Sequence, residues 1–145
     1  METKTPHLVL SDKIPDCNHF TWGEVLWLPT WKLHVYPSDE QCLNLVKICI
    51  KLDWIRDYFG YPIKVTSGLR PEIYNRTIGG AFHSAHITGE AVDFQVAGMK
   101  PNAVRAKLKP MLTHLGLRME NLPDSNWVHI DNKMTGHGGA RFFTP

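Results

Sequence analysis

Two short alternating segments carry ionisable side chains between apolar neighbours, and they constrain the fold more than any other feature of the chain. In residues 91–96 the apolar side chains alternate around Asp93, and in residues 127–131 they alternate around His129. Successive side chains of a strand point to opposite faces, so the apolar set can enter a core while Asp93 and His129 face away from it. A carboxylate among apolar strand residues is costly unless it has a partner or a metal ion. The pattern therefore predicts a site on the polar face of a sheet.

Helix signals surround these strands. The clearest helix runs from about residue 39 to 59, between an N-cap at Ser38 and a stop at Gly60. A second helix covers 101–115, where Pro110 must kink or divide it. Strands are predicted over 63–67, 91–96, 117–120 and 127–131. We therefore expect an α+β fold, a small antiparallel sheet with helices packed on one face.

The remaining segments show little regular period. Residues 1–37 are rich in Pro, Trp and Thr and are expected to wrap the domain, with a short capped turn of helix from Thr21. Residues 68–90 read as a loop that contains Gly and Arg. The chain of 145 residues is long enough for a single domain with one core.

Composition excludes several classes of protein. Hydrophobic residues make up 43% of the chain and charged residues 21%, which is ordinary for a soluble globular domain. The net charge of +2 comes without a clustered basic stripe, so we expect no nucleic-acid partner. No apolar run approaches the roughly 18 residues of a membrane span. The N-terminus lacks the layout of a signal peptide, so synthesis in the cytoplasm is expected.

The three cysteines are expected to be free thiols in a reducing compartment. Cys42 and Cys49 are seven residues apart in the predicted helix, which separates them by about 10 Å, too far for a disulfide. Both lie on the apolar face of that helix, so we expect them to be buried. Cys17 is then left without a partner.

A histidine from the loop completes a candidate metal site. Residues 84–93 follow the pattern S-x-H-x-x-G-x-A-x-D, in which Gly89 lets the chain turn tightly between His86 and Asp93. His86, Asp93 and His129 form a set of two histidines and one carboxylate. Such a set can bind a zinc ion and leave a fourth position open for water. Other divalent metals fit the same residue types.

These residues resemble the zinc peptidases of bacterial cell walls. That family includes D-alanyl-D-alanine carboxypeptidases, vancomycin-resistance dipeptidases and phage endolysin peptidases, and its fold is related to that of hedgehog proteins. The resemblance rests on the pattern at 84–93 and on W-x-H at 127–129. It extends to S-G-x-R at residues 67–70 and to N-x-x-x-G-G at residues 75–80. The segment F-T-W-G-E at residues 20–24 is also similar to the opening segment of some members. The resemblance covers about residues 18–143, and implies a zinc peptidase domain over 18–145 behind an N-terminal extension of 1–17.

The resemblance also assigns roles to residues. It implies one zinc ion per chain, held by His86, Asp93 and His129. Arg70 would bind a substrate carboxylate or stabilise the developing oxyanion, which suits a planar guanidinium. Ser84 would donate a hydrogen bond near the metal or hold the loop.

The general base is where the chain departs from the family. Many members carry a glutamate three residues before the last histidine ligand, and this chain has Asn126 there. An amide cannot accept the proton of an attacking water. Glu120, in the preceding strand, is the replacement that we expect. Rival bases are His83, Asp131 and His137.

The resemblance implies hydrolysis of amide bonds in peptidoglycan stem peptides or cross-links. If Arg70 clamps a free C-terminal carboxylate, the protein would be a carboxypeptidase, and a cleft open at both ends would make it an endopeptidase. We expect a monomer without a membrane partner, suited to phage lysis or to a virion if it is released to the wall. The alternative is a non-catalytic binding module of the same fold that keeps zinc for stability.

Overall fold

The computed structural model describes residues 8–135 and 139–145. The helices are α1 (Trp22–Leu26), α2 (Asp39–Phe59), α3 (Glu72–Thr77), α4 (Pro101–Leu108) and α5 (Leu112–Leu115), with a 3₁₀ turn at Lys109–Met111. The strands are β1 (Trp27–Leu28), β2 (Leu33–His34), β3 (Ile63–Ser67), β4 (Ala91–Val96), β5 (Arg118–Glu120), β6 (Val128–Asp131) and β7 (Phe142–Phe143). Among the described residues, no helix is long and apolar enough to cross a membrane.

The predicted helix ends are confirmed. The Ser38 hydroxyl accepts a hydrogen bond from the Gln41 amide at the start of α2, and Gly60 ends the helix with a left-handed φ of +73°. At the start of α1 the amide and the hydroxyl of Thr21 both donate to the Glu24 carboxylate, at 3.0 and 3.2 Å. The helix expected over 101–115 is divided into α4, the 3₁₀ turn that contains Pro110, and α5. Local sequence is sufficient for these boundaries.

Five strands form the main sheet in the order β3-β4-β6-β5-β7. Neighbours are antiparallel except β5 and β7, which are parallel. The α+β class is confirmed, and the sheet is mixed at one edge. Strand β7 lies on the far side of β5 from β6, and both β5 and β7 run antiparallel to β6.

The core lies between the sheet and the two longest helices. Helices α2 and α4 contact β4, and α4 also contacts β6, all on the face that the alternating apolar residues occupy. Ile14 and Cys17, from the segment before α1, pack into the same core. The boundary between an extension over 1–17 and a domain over 18–145 stays a prediction.

The cysteines form no disulfide, and all three lie in the described part of the chain. Cys17 and Cys49 are buried as expected. Cys42 is only half-buried, so that expectation was wrong for this residue. It lies in the first turn of α2, where the end of the helix is open to solvent on one side.

Several short elements had no signal in the sequence. The loop over 68–90 contains α3, and residues 27–34 form the β1–β2 hairpin. The tail forms β7. Strands of two residues are too short for a hydrophobic period, so contacts with the rest of the fold decide whether they form.

Candidate metal centre

The polar face of the sheet brings three chemically active side chains into one row. Asp93 of β4 lies directly opposite His129 of β6. On the other side of β6, Met119 pairs with Ile130, so the next residue of β5, Glu120, lies beside His129. Neighbouring strands are about 4.8 Å apart, which places the three side chains within reach of a common ion or substrate.

The loop that precedes β4 brings His86 over this row. The amide of Arg70 donates a hydrogen bond to the His86 carbonyl, which ties the two ends of the loop together. Gly89 has a φ of +78°, and a Cβ there would lie 2.8 Å from the Gln41 carbonyl oxygen. The glycine is therefore required both by the turn and by the close approach of α2.

Three ligand atoms converge at the centre of the site. The His86 Nε2 lies 3.1 Å from Asp93 Oδ1, and the His129 Nδ1 lies 2.8 Å from the same oxygen. All three ligand atoms lie within 4.8 Å of one another, and all three residues are buried. The structure thus brings together the three residues that the sequence proposed as ligands.

The second nitrogen of each histidine has a partner of its own. The His86 Nδ1 lies 2.8 Å from the Gly68 carbonyl oxygen, which can only accept, so Nδ1 carries the proton and Nε2 is left for the centre. The His129 Nε2 lies 2.8 Å from Asp131 Oδ2, so Nε2 donates and Nδ1 faces the centre. Both rings are thereby fixed in orientation and tautomer for metal coordination.

Asp131 is in turn held by an arginine. The Arg118 Nε and Nη2 donate to its two carboxylate oxygens at 2.8 and 3.0 Å. Asp131 is fully buried, and the Lys133 amide donates a further hydrogen bond to it. An arginine, a carboxylate and a histidine therefore form a chain of contacts that ends at the His129 Nδ1, which faces Asp93.

The charged groups of the centre shift one another's pKa. Burial by itself raises the pKa of Asp93, but its electrostatic attraction to His86 and its hydrogen bonds with both histidines outweigh burial and hold the pKa well below its ordinary value. Burial lowers the pKa of His129, but hydrogen bonds to Asp131 and Asp93 raise it to about 9. Asp93 is therefore ionised at neutral pH, and a proton on His129 Nδ1 must leave before that atom can bind a cation.

Arg70 borders the centre and contacts it directly. Its Nη2 donates to Asp93 Oδ2 at 3.0 Å, and its Nε donates to the Ser67 hydroxyl at 2.8 Å. Its Nη1 lies 3.4 Å from Asn75 Oδ1. Of the five N–H donors of a guanidinium, two remain for a substrate. The side chain thus positions Asp93 and still has donors for a bound molecule.

The N-x-x-x-G-G pattern is explained by Asn75. This side chain is buried, accepts from Arg70 and donates to the Ala81 carbonyl at 2.8 Å. A Cβ on Gly80 would overlap the Asn75 amide group, so a glycine is needed there. The pattern therefore fixes the loop that supports Arg70.

The candidate bases are placed very differently. Glu120 Oε1 lies 3.9 Å from His129 Nδ1, and its side chain is 21% exposed. Asn126 is exposed in the turn before β6, where its carbonyl accepts from Gln95. Asp131 is fully buried and occupied by its partners. His83 is exposed against the Phe82 ring, and His137 lies outside the described residues. Glu120 is the only described carboxylate of these that is both beside the centre and open to solvent.

A cleft opens beside Arg70 and Asp93. It has a volume of about 230 Å³, and its walls include Tyr74, Ile78 and Trp127. Ser84 is not among the residues that line this cleft, and its hydroxyl accepts from the His86 amide at 3.2 Å. In this structure Ser84 therefore holds the loop.

A second group of possible ligands consists of His19, Asp53 and Asp57. The Asp53 oxygens already accept hydrogen bonds from the backbone amides of Asn18 and His19. His19 Nε2 lies 2.8 Å from Asp57 Oδ1, whose side chain is 64% exposed. These contacts account for the group as an anchor between the N-terminal segment and α2.

Sequence reasoning missed the supports of the centre. It named Asp131 only as a rival base, although its place on the face of His129 was visible from strand alternation. Arg118, Asn75 and the Gly68 carbonyl had no assigned role. The alternation of Arg118 and Glu120 around Met119 was the one available signal for Arg118.

A sequence model of the family described as peptidase M15 matches residues 20–131. No curated protein matches the chain. The match covers most of the chain and includes all three residues of the centre, Arg70 and Glu120. The chain therefore belongs to the peptidase M15 family, a zinc-dependent D-Ala-D-Ala carboxypeptidase-like family of metallopeptidases.

Proposed function

We propose that this member of the peptidase M15 family hydrolyses amide bonds in the stem peptides or cross-links of peptidoglycan. The observation that carries the proposal is the convergence of His86 Nε2, Asp93 Oδ1 and His129 Nδ1 within 4.8 Å, with Glu120 beside them. Every one of these groups comes from a single chain, which supports a monomer as the active unit. The resemblance to phage endolysin peptidases extends the proposal to a lysis enzyme that reaches the wall with the help of a partner.

The donor set fits a zinc ion. Two imidazoles with fixed tautomers and one ionised carboxylate supply three ligands and leave a further position, as catalytic zinc sites require. When bound, zinc would supply Lewis-acid polarisation of the scissile carbonyl and of a water molecule. His86, Asp93 and His129 would hold it.

Glu120 is the proposed general base. Its carboxylate lies beside His129 and is partly open to solvent, so it can accept a proton from the attacking water. The same group can then give this proton to the leaving nitrogen of the peptide. Positioned groups of this kind contribute about 10²- to 10⁴-fold to rate.

Arg70 and the cleft beside it are the proposed substrate site. The two N–H donors that Arg70 does not use can bind the developing oxyanion or a free carboxylate. The apolar walls formed by Tyr74, Ile78 and Trp127 suit a small apolar side chain such as that of alanine. A carboxylate clamped by Arg70 corresponds to carboxypeptidase activity, and a chain that continues past it corresponds to endopeptidase activity.

The test is digestion of purified peptidoglycan and soluble muropeptides by the zinc-loaded protein, with and without a chelator, followed by mass spectrometry. We expect chelator-sensitive release of products. Loss of single alanine residues identifies a carboxypeptidase, and release of stem or cross-link fragments identifies an endopeptidase.

Glu120→Gln separates the enzyme from the binding module. We expect this variant to keep wild-type zinc affinity and thermal stability while turnover falls about 10²-fold or more. The exposed Asn126→Ala is the matched control, and its turnover should be unchanged. If the wild-type protein binds one zinc ion but leaves every substrate intact, the protein is a binding module and not an enzyme.

A further inference from the structure

We propose that Phe143, in the C-terminal strand β7, is a positioning residue of the metal centre. Its ring shields the ion pair between Arg118 and Asp131, and this pair orients His129. The proposal rests on the proposed function because it takes His129 as a metal ligand. Strand β7 lies beyond the residues 20–131 that match the family, so the family match assigns it no role.

The register of the sheet places Phe143 at the end of the row that carries the centre. Phe143 lies opposite Glu120, just as Asp93 lies opposite His129. Two backbone hydrogen bonds hold β7 there, from the Met119 amide to the Arg141 carbonyl at 2.7 Å and from the Asn121 amide to the Phe143 carbonyl at 2.6 Å. The strand that carries Glu120 is therefore paired on both sides instead of forming an open edge.

The Phe143 ring lies directly against the arginine. The guanidinium carbon of Arg118 is 4.1 Å from the ring centroid, within the range of a cation–π contact. The same ring lies 6.3 Å from the His129 ring, edge to face. Arg118 keeps a side-chain exposure of 23% under this cover, whereas Asp131 keeps 1%. Without the ring, water would reach the guanidinium and weaken its attraction to Asp131.

The neighbouring residue supplies a matched control. Phe142 points to the opposite face of β7, where it packs against the hydrophobic core and its ring lies 4.8 Å from Lys109 Nζ. Loss of its side chain weakens the anchoring of β7 without removing the cover from Arg118. A comparison of the two positions therefore separates shielding of the ion pair from docking of the strand.

The experiment measures zinc affinity by competition with a chromophoric chelator, at low and at high salt, together with thermal stability. We expect Phe143→Ala and Phe143→Leu to weaken zinc binding about two- to tenfold, the range of one cation–π contact. The loss should grow with salt, since an exposed ion pair is screened. Phe143→Tyr, which keeps the aromatic face, should restore wild-type affinity. Phe142→Ala should lower the melting temperature and leave the affinity unchanged.

Two results overturn the proposal. Wild-type zinc affinity in Phe143→Ala would show that the ring does not act on the centre. If Phe142→Ala and Phe143→Ala lose zinc affinity equally, in proportion to the fall in their melting temperatures, then β7 has only a structural role at the edge of the sheet. His86→Ala distinguishes these results from failure of the proposed function. If the wild-type protein binds no more zinc than this variant, the centre itself is refuted and the role of Phe143 with it.

Discussion

Replacement of Asp131 by Asn tests whether the contacts behind His129 control metal binding. Asp131 Oδ2 accepts from His129 Nε2 and Arg118 Nη2, and Oδ1 accepts from Arg118 Nε and the Lys133 amide. Asn keeps one acceptor oxygen and turns the other into a donor. Whichever way the amide is oriented, two donors lose their acceptor.

The magnitude follows from these contacts. If the new amide donor faces His129, the ring must carry its proton on Nδ1, the atom that faces the metal. If it faces Arg118, the guanidinium loses one of its two bonds and its charge partner. Loss of an outer partner of a metal-ligating histidine costs about 10- to 100-fold in metal affinity, which is about 1.4 to 2.8 kcal/mol.

The assay is zinc competition on purified Asp131→Asn, with Asp57→Asn as the matched control. Asp57 also accepts from a histidine at 2.8 Å, but it is mostly exposed and does not contact the centre. We expect the control to bind zinc as the wild type does and to be altered in stability by no more than about 0.5 kcal/mol. An Asp131→Asn protein with zinc affinity within twofold of the wild type would refute the reasoning.

Three further predictions concern the surroundings of the centre. Arg70→Lys should lower kcat/KM for muropeptide hydrolysis by about 10²-fold, because an ammonium cannot make the three planar contacts at once, and zinc affinity should fall by less, since lysine keeps a positive charge beside Asp93. Gly68→Ala should lower the free energy of unfolding in urea by about 1–3 kcal/mol, since its Cβ would overlap the Val25 backbone. Burial, helped by nearby aspartates, raises the pKa of Cys17 from 9.0 to about 12. Between pH 9 and about 12 the Cys17 thiol ionises in the unfolded chain but not in the folded protein. The contribution of Cys17 to the free energy of unfolding is therefore at its full value below pH 9 and is lost as the pH rises toward 12. Urea unfolding should show a fall in stability over that window that is smaller in Cys17→Ala, and an equal fall in both proteins would contradict it.

The long helix and the inner strands were predictable because their signals are local. Ser38, Gly60 and the apolar stripe of α2 lie within one segment, and each contributes independently of the rest of the fold. The alternation around Asp93 and His129 likewise assigned each side chain to a face of the sheet. Helix α3, the β1–β2 hairpin and β7 have no such period, and contacts made far along the chain hold them in place.

The sequence by itself determined which residue types could meet at the centre. A period of two fixes the face on which a side chain lies, but it leaves the register between strands open. The tertiary structure decided that Asp93 pairs with His129 and that Arg118 pairs with Asp131. The partners of the second histidine nitrogens follow from that register and from the path of the loop, since hydrogen bonds require atoms within about 3 Å. The sequence thus predicts the ligands, whereas the contacts that orient them form only in the folded sheet.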